Sequence, residues 1–123
     1  MMHHIDRFFA AVSILAGHGN IKQRLITAYE GQLEDIVDDE LPIAIHQAFA
    51  DLRFQLHRVA PLNGEGTICA SVRKMSSAEA SECARSVVEM FREVSRQADD
   101  SDGVLSLSQG SAERVPPFLI KSV

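Results

Sequence analysis

The sequence predicts an all-α fold, an antiparallel bundle of four to five helices with a flexible C-terminal tail. Three observations carry that prediction. Residues 76–98, SSAEASECARSVVEMFREVSRQA, open on a Ser76-x-x-Glu79 capping box and repeat apolar residues every three or four positions. Three upstream stretches share that spacing, and the corners between them are short and marked by Gly or Pro.

The first helix is read over residues 5–16, where Ile5, Phe8, Phe9, Val12 and Leu15 or Ala16 recur at helical intervals. Gly17 and Gly19 end it, since a helix commonly stops at a left-handed residue that Gly supplies without steric cost. Asn20 then caps a second helix, with Gln23 three residues on. That helix is read to about Val37, burying Ile21, Leu25, Ala28 or Tyr29, Leu33 and Ile36, and Gly31 weakens it by up to about 1 kcal/mol relative to Ala.

A third helix is read from about Leu41 to Val59, with Asp38 or Asp39 as its cap and Pro42 in its first turn. Ile45, Ala48, Phe49, Leu52, Leu56 and Val59 are its buried set. Pro61 stops it, and residues 61–66, PLNGEG, form a loop. Residues 67–75, TICASVRKM, fit both periods: Ile68, Val72 and Met75 read as a helix, Ile68, Ala70 and Val72 as a strand. Helix is preferred because a strand needs partners and the only other extended-looking pieces lie near the C-terminus.

In the last helix Met75 and Ala80 are placed to staple the cap, and Ala80, Ala84, Val87, Phe91, Val94 and Ala98 form the seam. Glu82, Arg85, Glu89, Arg92, Glu93 and Arg96 take the opposite side, with pairs Glu82–Arg85, Arg85–Glu89 and Glu93–Arg96 within reach. DDSDG, residues 99–103, reads as a polar linker. The division expected is a helical domain over residues 1–98 and a flexible or loosely docked tail over 99–123.

Composition places the chain among ordinary globular domains: 123 residues, 46% hydrophobic and 24% charged. A net charge of −5 argues against a nucleic-acid binder, whose footprint is a basic stripe. Two cysteines, Cys69 and Cys83, make neither a disulfide framework nor metal-ligand spacing and read as reduced packing residues. The apolar run at 8–16 makes a poor signal peptide, with Asp6 beside its single Arg7 and no clean cleavage site. No stretch approaches the roughly 20 apolar residues of a membrane span. A cytoplasmic protein is expected.

Chemistry-bearing signals are few. Between Leu25 and Leu52 there is no Lys or Arg, and on a continuous helix Glu30, Glu34 and Asp38 share a face. Carboxylates at that spacing hold Mg²⁺ in helical-bundle phosphohydrolases, but such sites need acids from a facing helix, which this chain barely offers. A solvated acidic face is the plainer reading. Arg53, Arg58, Arg73 and Lys74 then follow, so acidic and basic segments meet each other between copies or stand as separate patches. Arg73 and Lys74 precede a helix start, the geometry of an anion site, although Ser76 and Glu79 already satisfy those amides.

The histidines are scattered. His46 and His57 lie about 16 Å apart along a helix, too far to share a metal. No nucleophile, phosphate-loop or cofactor motif is present. With no catalytic signature, the expected function is protein–protein interaction, regulatory or adaptor-like and non-enzymatic, in a chain that self-associates. Its contact is an exposed helix face or the apolar hook Phe118, Leu119 and Ile120. A metal-dependent phosphohydrolase using Glu30, Glu34 and Asp38, and an anion or nucleic-acid binder using Arg73 and Lys74, are the alternatives.

Overall fold

Helix α1 (His4–Leu15) turns its Phe8, Ala11 and Leu15 inward, and the chain then reverses through a left-handed Gly19 at φ 100°. Asn20 caps α2 (Ile21–Ala28) by accepting from the Gln23 amide at 2.8 Å. Arg24 fastens this corner, donating to the Gly19 carbonyl at 2.9 Å and also to that of Leu15. Carbonyls left unpaired at the end of α1 thereby find a charged donor. Three further helices follow, α3 (His46–His57), α4 (Thr67–Lys74) and α5 (Ser77–Leu107). The computed structural model describes residues 3–61 and 64–107, and among them there is no strand.

The architecture is an all-α bundle built on α5, which packs against α1, α2 and α3, while α4 closes the far side on α2 and α3. Phe8 of α1 meets Phe49 of α3 edge-on, with centroids 6.2 Å apart, at the centre of a core that also holds Tyr29, Leu25 and Leu33. Residues 67–74 are helical, as preferred from their spacing, with Met75 the extended C-cap, and Ile68, Ala70, Val72 and Met75 are all buried. Ser71 is buried with them and its Oγ accepts from the Val59 amide at 3.0 Å, which ties the end of α3 to α4.

The second helix is shorter than its spacing implies. It gives way to a π-helical turn, Tyr29–Leu33, closed by Glu34 N–H donating to Tyr29 C=O at 2.9 Å, and helical winding stops there. Tertiary contacts supply the reason. The wider turn keeps both Tyr29 and Leu33 fully buried, and Arg53 from α3 donates to the Ile36 carbonyl at 2.9 Å, satisfying an acceptor that a longer helix would have paired itself.

The third helix also starts late. Leu41 is extended (φ −97°, ψ 150°), as a residue before proline must be, so α3 begins at His46 after two 3-10 turns, Asp38–Glu40 and Ile43–Ile45. The seam of α5 is rotated by one step from the expected set. Ala80, Cys83, Val87, Met90 and Val94 are buried, whereas Ala84, Phe91 and Ala98 are half-buried at its edge. Finally, the expected linker at 99–103 is helical. Gly103 costs α5 about 1 kcal/mol, but no proline interrupts the run, and each added residue closes a hydrogen bond of its own.

Candidate docking surface

The rotation of the α5 seam creates the surface of interest. Ala84, Val88, Phe91 and Ser95 lie one step around the helix from the buried row, on a stripe of mostly small side chains. On α1 the corresponding edge is Phe9, Val12 and Ala16. Phe9 packs on Phe91 with ring centroids 5.9 Å apart, and farther along Val12 and Ala16 share a groove of about 390 Å³ with Ala84 and Val88. Rising numbers on α1 thus meet falling numbers on α5, the antiparallel arrangement. The result is one apolar strip in which Phe9 keeps 59% of its surface exposed and Val88 44%.

Arg24 and Arg85 line the groove beside Val88, and beyond Arg85 the outer side of α5 is charged. Glu82 with Arg85, and Glu89 with Arg92, stand 3.8 and 3.9 Å apart, and all four are well exposed. Such pairs contribute little, about 0.3 to 0.5 kcal/mol. Farther along the helix Glu93 and Arg96 close to 2.5 Å, and Glu93 also accepts from Gln97 at 2.9 Å. Those bonds hold the Glu93 carboxyl below its usual range.

A second groove, of about 360 Å³, lies between α3 and α5 over Leu52 and Cys83, with Asp51, Glu79 and Glu82 at its rim. Two of these carboxylates have work already. Asp51 accepts from Gln47 at 2.8 Å, and Glu79 accepts from the Ser76 amide at 2.8 Å while its own amide donates to Ser76 Oγ at 3.0 Å. The capping box is therefore complete. Burial first, and then the charge of Glu79, push the Cys83 thiol up, which favours the neutral thiol over the nucleophilic thiolate.

Inside the bundle, the Tyr29 hydroxyl is 3.2 Å from His57 Nε2. Burial raises its pKa, against a smaller lowering by its hydrogen bond with Arg53. Arg53 in turn donates to Asp38 at 2.8 Å and lies over the Phe49 ring at 4.7 Å. Neither groove is lined by Tyr29, His57 or Arg53, and this network holds α3 against the π turn.

The acidic residues singled out by spacing are not gathered into one site. Glu30 lies in the π turn, Glu34 just past it, and Asp38 in a 3-10 turn bound to Arg53. The continuous helix needed to align them is absent, and among the described residues no group of three or more His, Cys, Asp or Glu could hold a metal ion. Arg73 grips Glu65 with two bonds, at 3.2 and 2.6 Å, while Lys74 is exposed at the end of α4. The acidic and basic segments meet within the chain, through Asp38 with Arg53 and, from α1, Arg7 with Asp35. Phe118, Leu119 and Ile120 lie outside the described residues.

Sequence reasoning placed Phe9 and Phe91 in the core and did not single out Val88. Val88 carried a signal nonetheless, as the one large aliphatic on the charged side of the last helix. No protein-family model, no curated protein and no solved structure matches the chain.

Proposed function

We propose that this chain is a cytoplasmic, non-enzymatic interaction module that binds protein through the α1 and α5 face centred on Val88. The observation that carries the reading is the partly exposed apolar strip that runs from the Phe9–Phe91 pair to the Val12, Ala84 and Val88 groove, with Phe9 and Val88 its exposed members. Burying an aromatic pair and a valine out of water is favourable by about 25 cal/mol per Å² of apolar surface, and isolated exposed side chains would not add up in this way. Arg24 and Arg85, which line the groove with Val88, would give such a contact its charge selectivity.

The test is to place a charge in the strip. Val88→Glu, at an exposed position, leaves the thermal midpoint nearly unchanged but abolishes association seen by light scattering and by pull-down of the full chain. A native chain that is strictly monomeric and captures nothing contradicts the reading.

A further inference from the structure

We propose that the groove between α3 and α5 is a separate binding site that takes a small organic cation, an ammonium group carried on a flat apolar body. It stands independently of the strip beside Val88. The groove holds about 360 Å³, inside the range of about 300 to 1,000 Å³ that small-molecule sites occupy. Along α5, Glu79, Glu82, Cys83 and Ser86 recur at spacings of three and four and so share one side of the helix, facing Asp51 and Leu52 of α3. Leu52 and Cys83 form an apolar floor, only 3% and 9% exposed. A flat hydrocarbon body covers that floor and gains by leaving water.

Charge decides the other half of the ligand. Asp51, Glu79 and Glu82 line the groove, and no Lys, Arg or His does. Their existing bonds leave acceptors over. Asp51 takes Gln47 on Oδ1 and Glu79 takes the Ser76 amide on Oε1, so among the described residues Asp51 Oδ2 and Glu79 Oε2 have no partner. Glu82 has Arg85 alone, loosely, at 3.8 Å. A second arginine, Arg58 at the end of α3, stands near enough to act on the Cys83 thiol. After burial itself, however, the strongest influence on that thiol is the charge of Glu79; Arg58 opposes it less strongly, and Glu82 adds to Glu79. The field at the floor is therefore negative, which attracts an ammonium and repels a carboxylate. A bare metal ion fits worse, because among the described residues no three acids, cysteines or histidines are placed to hold one. A cation whose body spans the groove meets both the floor and the rim.

Tryptamine is the probe for the test, with tryptophol and indole-3-propionate as its neutral and anionic counterparts. The chain contains no Trp, so indole fluorescence polarisation reports the probe alone as the full chain is titrated in. At low salt tryptamine binds with a Kd of about 1 mM or below. It binds about fivefold tighter than tryptophol, and indole-3-propionate binds more weakly still. Amide resonances that shift with tryptamine in a heteronuclear NMR spectrum concentrate at residues 51–55 and 78–86. Asp51→Asn combined with Glu82→Gln, both at exposed positions, weakens tryptamine about fivefold and leaves tryptophol unchanged, with the melting midpoint showing that the fold is intact. The probe comparison stands on the native chain and needs no variant. Equal binding of the three probes, no binding of tryptamine at about 5 mM, shifts that fall elsewhere, or a double variant that binds tryptamine as the native chain does each overturns the proposal.

Discussion

Helix α5 and the segment between α2 and α3 reach their folded forms by opposite routes. The N-terminus of α5 is self-sufficient: Ser76 and Glu79 satisfy one another's amides, and the surface pairs Glu82–Arg85 and Glu93–Arg96 come from residues three apart. In the segment from Tyr29 to Ile45 the turns depend on residues far away in sequence. Arg53 binds both Ile36 and Asp38, Arg7 binds Asp35, and His57 meets the Tyr29 hydroxyl. The lesson is that local rules describe an element well where its polar groups are satisfied locally, and fail where an arginine from another helix does the satisfying.

The largest effect that sharpens this contrast is expected at Leu33, fully buried in the π turn. Leu33→Ala removes packing that the turn cannot replace and costs about 2 to 5 kcal/mol in a denaturant titration. Next comes a paired experiment on two arginines. Arg53→Ala frees the Ile36 carbonyl, Asp38 and the Phe49 ring together, for a loss of about 1 to 2 kcal/mol after allowing for partial exposure. Arg96→Ala on α5 costs less than about 0.5 kcal/mol. Equal losses at the two sites would erase the distinction between the regions.

A smaller effect has the opposite sign. Gly31 sits in the π turn outside the left-handed region, and a Cβ added there meets nothing within 4 Å. Gly31→Ala should therefore stabilise the fold by about 0.4 to 1 kcal/mol, chiefly by restricting the unfolded chain. Destabilisation would mean that the π turn needs glycine and is strained.

Tyr29 supplies a test read as a direction. Burial raises its folded pKa above the ordinary 10.0, so its contribution to stability is fully present below pH 10 and is lost as pH rises through the folded value. Because Tyr29 is the only tyrosine, phenolate absorbance follows it alone. Ionisation should occur above pH 10 and in step with weakened folding, whereas an ordinary titration in an intact fold would place the hydroxyl in contact with solvent.

These differences also explain what could be read beforehand. The all-α class, the capping box, the Gly17 and Gly19 corner and helix α4 follow from local signals, and the structure has them. The late start of α3 was not legible: Pro42 accounts for an extended Leu41, but no local signal makes Ile43–Ile45 a 3-10 turn ahead of His46. The π turn was not, because nothing in YEGQL announces that Tyr29 and Leu33 must both face inward. For the docking face, the spacing gave a seam but not its rotation. Choosing Cys83 and Met90 over Ala84 and Phe91 as the buried row depends on how α1 and α3 flank α5. That choice decides whether Val88 and Phe91 meet the core or solvent.

The central claim, that this partly exposed strip is a protein-docking surface, is tested most directly by sedimentation equilibrium of the full chain over a wide range of concentration, together with a pull-down. The account predicts that the native chain associates, rising above 13.5 kDa or capturing a protein, and that Val88→Glu does neither. A native chain that holds 13.5 kDa throughout and captures nothing, or a Val88→Glu chain that associates as the native one does, would contradict it.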